Sequence, residues 1–119
     1  MIGMHNYKEL TPEKLEYIVV AGTDEITDGE RLFFQIDDYD IVLLQIAGEY
    51  YAVGDVCTHD DGPLGDGEVE DCAIICPRHG ARFDIHTGKV LSLPAYEDIP
   101  VFPVRVQDGQ IEIGLPLED

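Results

Sequence analysis

The sequence has no run approaching the ~20 apolar residues that a membrane-spanning helix needs. Met1 to Leu10 lacks both the basic start and the apolar stretch of a secretory leader. The expected location is therefore the cytoplasm, away from membranes. Basic residues are also scarce: seven Lys and Arg stand against 25 Asp and Glu, a net charge of −18. That balance repels phosphate backbones and anionic lipid surfaces, so it excludes nucleic acid as a partner and points to basic protein patches instead. The same acidity equally serves solubility or reflects a salty cytoplasm, and composition does not choose between these readings. Cysteine is scarce and odd in number. Three in a chain with no export signal argue against a disulfide framework and turn attention to metal binding or free thiols.

What is present reads as one all-β domain over residues 1–119, with a mobile lead-in expected over residues 1–10. Thr11-Pro12-Glu13 has the hydroxyl cap and early proline of a helix start, but the β-branched residues that follow limit any helix to a turn or two. From Tyr17 onward, short apolar runs alternate with Gly and Asp turn signals: Tyr17–Ala21, Arg31–Ile36, Ile41–Ile46 and Tyr50–Val53. Glu68–Ile75, Ala81–Ile85, Pro100–Val106 and Ile111–Ile113 complete a strand set spaced as in a small antiparallel sandwich or barrel. Gly48-Glu49 and Asp108-Gly109 sit between such runs as hairpin turns, the second suited to a type I′ geometry. Asp55–Leu64 and Cys76–Ala81 are polar, contain Gly and Pro, and read as loops.

Each of those two loops carries one Cys and one His. Cys57-Thr58-His59 is C-x-H, and Cys76-Pro77-Arg78-His79, after a gap of sixteen residues, is C-x2-H. One zinc ion could take the two sulfurs and two nitrogens tetrahedrally, although zinc knuckles usually pair Cys with Cys at short spacing. A two-iron cluster accounts better for the symmetry, because each loop can send its Cys to one iron and its His to the other. Other chemistry-bearing residues read blandly. Cys72 suits a small buried strand position, and His86 and His5 lack partners at ligand spacing. Asp60, Asp61, Asp66 and Glu68 do not follow the order of a calcium loop.

The residues around the ligands resemble the Rieske [2Fe-2S] family: C-T-H in the first loop, C-P-R-H-G in the second, then Phe83-Asp84 and the turn Thr87-Gly88-Lys89, over a stretch from about Tyr17 to Leu115. The resemblance implies a Rieske-like antiparallel β-sandwich or barrel with a small cluster-binding subdomain at roughly 55–95. It implies one [2Fe-2S] cluster, with Cys57 and Cys76 on the inner iron and His59 and His79 on the outer one. Members from respiratory and photosynthetic complexes add a disulfide between the two loops, where this chain has Gly62 and Arg78. High-potential members place Ser and Tyr hydroxyls where this chain has Ala81 and Phe83. Ser92-Leu93-Pro94-Ala95 falls where the family has a proline loop packed against the cluster. Rieske centres as a class span roughly −150 to +300 mV, and the missing hydroxyls imply the lower end.

Small size and the absent disulfide look like the ferredoxin component of bacterial multicomponent oxygenases. The resemblance thus implies an electron carrier, not an enzyme, taking electrons from a flavin reductase and giving them to a terminal non-haem iron oxygenase. Two alternatives stand beside it: a small accessory subunit similar to that of assimilatory nitrite reductases, and a Rieske protein linked to iron–sulfur assembly or redox sensing. The length leaves no chain for the mononuclear iron domain of an oxygenase α subunit.

Overall fold

A computed structural model describes residues 6–56, 63–77, 80–93, 95 and 97–117. The described residues form three antiparallel sheets from ten strands. The strands are β1 (Leu15–Gly22), β2 (Arg31–Ile36), β3 (Tyr39–Ile46), β4 (Glu49–Gly54), β5 (Val69–Glu70), β6 (Ala73–Ile75), β7 (Arg82–Asp84), β8 (Val101–Phe102), β9 (Val104–Gln107) and β10 (Gln110–Pro116). The sheet orders are β1-β10-β9, β2-β3-β4-β8 and the short β5-β6-β7. Helical structure among the described residues is confined to single 3₁₀ turns, such as Pro12–Lys14, where Thr11 makes no side-chain cap. None is long and apolar enough to cross a membrane.

The four-stranded sheet is the middle layer, and its sequence shows why. In β3, Ile41 and Leu43 face one core with Ala52, Phe102, Ile111 and Ile113, whereas Val42 and Leu44 face a second core with Val53, Leu64, Cys76 and Phe83. A strand covered on both faces carries a continuous apolar run instead of an alternating one, and Ile41–Leu44 is such a run. Each fully buried aliphatic side chain contributes about 1.5–3 kcal/mol. The second core lies between this middle layer and the small β5-β6-β7 sheet, which is where the second candidate ligand loop emerges.

Five sequence expectations need correction. Glu68–Ile75 is a hairpin, not one strand: Asp71 (φ 50°) and Cys72 (φ 63°) turn the chain between β5 and β6. Cys72 is accordingly a half-buried turn residue and not a buried strand residue. The run Pro100–Val106 breaks at Pro103 into β8, paired with β4, and β9, paired with β10. Proline has no N–H to give a ladder, so the chain changes sheets there. The turn after β3 is Ala47-Gly48 (φ 53° and 83°), one residue earlier than Gly48-Glu49, while Asp108-Gly109 (φ 53° and 77°) is the expected hairpin turn. Residues 6–10, expected to be loose, dock on β8: Asn6 bridges Val101 and the Tyr7 ring stacks on Phe102 at 5.2 Å. Residues 1–5 lie outside the described residues.

Candidate metal centre

Cys76 immediately follows β6, and its loop closes on itself. The Cys76 N–H donates to the Ala81 carbonyl (2.7 Å) and the Gly80 N–H donates to the Cys76 carbonyl (3.0 Å). Gly80 has φ +78°, a left-handed conformation that glycine adopts without cost, with open space where a side chain would stand. Cys76 is only 1% exposed and belongs to the apolar cluster of Leu64, Ala81, Phe83, Ile85 and Ala95. Ala81 and Phe83, the positions without hydroxyls, are both fully buried beside it.

The first candidate loop leaves β4 and returns at Leu64. Asp55 donates its N–H to the Asp40 carbonyl (2.8 Å), and its Oδ1 accepts from the N–H groups of Leu64 (2.8 Å) and Gly65 (2.5 Å). Cys57, His59, Gly62, Arg78 and His79 lie outside the described residues, as do Asp60, Asp61 and Pro94. Of the four candidate ligands the structure therefore places Cys76. It also brings the frames of the two loops together: a Cβ at Gly67 would stand 1.8 Å from the carbonyl oxygen of Ile75, the residue before Cys76.

Around this frame, Asp84 Oδ1 accepts from the N–H groups of His86 (2.8 Å) and Thr87 (3.1 Å), which holds the Thr87-Gly88-Lys89 turn. Ser92 Oγ accepts from the Arg82 N–H (3.1 Å), tying the segment leading to Ala95 against β7. Ala95 is buried with Cys76, whereas Leu93 is 69% exposed. His86 is exposed, as expected, but not isolated: its Nε2 lies 3.2 Å from the Tyr51 hydroxyl. Burial, with Glu49 nearby, pushes the Tyr51 phenol up from its ordinary value. Sequence reasoning missed Asp55 and Arg31 as organisers of the first loop. The Asp at the end of a strand run, followed by a Gly-rich return, was the available signal.

The donor chemistry fits a two-iron centre. Two Fe³⁺, two sulfides, two thiolates and two neutral imidazoles sum to zero charge, and a neutral centre suits the apolar setting of Cys76, where an uncompensated thiolate would be costly. Comparison with known proteins agrees. Residues 16–103 match the Rieske [2Fe-2S] domain family. The ferredoxin component of the naphthalene 1,2-dioxygenase/salicylate 5-hydroxylase systems of Ralstonia sp is 35% identical over 99 residues, covering 83% of this chain and 95% of that protein. The 3-phenylpropionate/cinnamic acid dioxygenase ferredoxin subunit of Escherichia coli (strain K12) is 39% identical over 94 residues, covering 77% and 87%. The ferredoxin of carbazole 1,9a-dioxygenase from Nocardioides aromaticivorans IC177 superposes with a TM-score of 0.76 at 26% identity, covering 82% and 95%.

Proposed function

This chain belongs to the Rieske [2Fe-2S] domain family, and on that premise we propose that it is a low-potential ferredoxin carrying single electrons from a flavin reductase to a terminal non-haem iron oxygenase. Cys57, His59, Cys76 and His79 hold its one [2Fe-2S] cluster. When bound, the cluster supplies a one-electron couple. The protein's part is to hold the ligands still, exclude water from the thiolate side and set the potential.

The seating of Cys76 carries this reading. A thiol donor that is 1% exposed, on a loop whose own backbone bonds are closed and whose neighbours are apolar, suits a redox centre that must change charge with little rearrangement. Ala81 and Phe83 offer no hydroxyl to the sulfurs, so nothing at these positions stabilises the more negative reduced state, which favours a low potential. The relatives named as ferredoxin components of dioxygenase systems support the choice of partners.

The decisive measurement is electron paramagnetic resonance of the purified, dithionite-reduced protein, with a Rieske-type signal expected. His79→Cys adds a negative charge to the ligand set and should lower the potential or abolish the cluster. A reduced protein without that signal, or a His79→Cys variant with unchanged spectrum and potential, overturns the assignment.

A further inference from the structure

We propose that Asp55 and Arg31 are positioning residues for the first ligand loop, locking its two ends together and setting its frame against the strand that delivers Cys76. The proposal rests on the reading that Cys57 and His59 are ligands on that loop.

One carboxylate oxygen of Asp55 accepts two backbone N–H groups, from Leu64 and Gly65, nine and ten residues further along the chain. It thereby stitches the exit of the loop to its return. Both donors are backbone groups fixed by the turn, so a single acceptor oxygen is enough to hold the two ends together. Arg31 approaches the same turn from β2. Its Nη1 donates to the carbonyl of Gly65 and to that of Gly67 (2.8 Å). The Gly65 peptide is therefore held at its N–H by a carboxylate and at its carbonyl by a guanidinium.

The glycines make this possible. A Cβ at Gly65 would stand 2.5 Å from the Phe33 ring and 3.0 Å from Asp55 Oδ1, and one at Gly67 would meet the Ile75 carbonyl. With both absent, the loop's return lies directly on the backbone of β6, one residue before Cys76. The Ile75 N–H completes the link by donating to the Glu68 carbonyl (2.9 Å). Asp55 and Arg31 thus act on the ligands through the backbone that presents them. Their removal should loosen the ligand set without unfolding the two cores, since neither side chain belongs to them.

The test uses the full chain with its cluster, comparing Asp55→Ala, Asp55→Asn and Arg31→Met with the parent. The readouts are iron release to a chelator, the g-values of the reduced protein and far-ultraviolet circular dichroism. Asp55→Ala should release iron about tenfold faster and broaden or shift the g-values, in line with the effect of outer-sphere substitutions at metal sites. Asp55→Asn keeps an acceptor oxygen and should restore both readouts towards the parent, while Arg31→Met should also speed release. Parent-like release and g-values in Asp55→Ala overturn the proposal. So does an Asp55→Asn variant as impaired as Asp55→Ala, because the charge and not the clasp would then matter. If Asp55→Ala does not fold, Arg31→Met decides, and parent-like behaviour there overturns the proposal. A parent protein with no Rieske signal at all instead removes the ligand reading itself.

Discussion

Phe83 shows how much one residue settles at this centre. It is fully buried, pairs through the backbone with Ile74, and packs in the same apolar cluster as Cys76. Unlike a tyrosine, this ring offers no hydrogen-bond donor. Phe83→Tyr should therefore raise the midpoint potential. A net hydrogen bond of about 1 kcal/mol corresponds to roughly 40 mV for a one-electron couple. Potentiometry against the parent checks the shift. A lowered Tm with no rise in potential would show that the new hydroxyl finds no acceptor and merely adds an unsatisfied polar group to the core. At this scale the sequence was informative about chemistry and poor about environment: the Cys and His spacing pointed to the cluster-binding family, and said nothing of what surrounds Cys76. Spacing set Cys76 apart from Cys72, four residues before it, but did not show that Cys72 lies on a turn at φ 63° and Cys76 in the core.

Hairpin turns carry the lesson at the scale of elements. Asp108-Gly109 was legible because Asp and Gly are the residues that tolerate positive φ at both central positions. Asp71-Cys72 was not, since cysteine carries no such preference, and the short strands around it merged into one apparent run. Ala47 is exposed at φ 53° and is another non-glycine in left-handed backbone. Ala47→Asn would create the favoured Asn-Gly pair without touching the core. It should stabilise the fold by about 0.5–1 kcal/mol, read as a rise of roughly 2–6 °C in Tm. An unchanged or lower Tm would mean that the Ala47-Gly48 turn is not the strained element that its backbone indicates. Pro103 follows the same logic, because its missing N–H explains why an apolar run divides between two sheets.

For the molecule as a whole, charge dominates. The net charge is −18, and carboxylates such as Glu9, Glu13, Glu16, Asp24, Glu25, Asp37, Asp38 and Glu49 stand exposed. Ion pairs such as Arg82–Glu70 (3.3 Å) and Arg105–Glu112 (2.6 Å) offset only a small part of that excess. Mutual repulsion should penalise the compact state at low ionic strength. Raising salt from about 0.01 M to about 1 M shortens the screening length from about 30 Å to about 3 Å, and Tm should rise by roughly 5–10 °C. A flat or falling Tm over that range, followed by circular dichroism, would show that the acidity does not strain the fold. What the sequence determined by itself was the β class, the cluster-binding family and the sign of the field, because strand periodicity, motif spacing and charge are properties of the chain. Only the tertiary structure decided that the middle sheet is buried on both faces, that Cys76 sits in an apolar core, and that Asp55 and Arg31 meet across one glycine peptide. Those facts depend on side chains and backbone groups tens of residues apart, and no local pattern encodes which of them will touch.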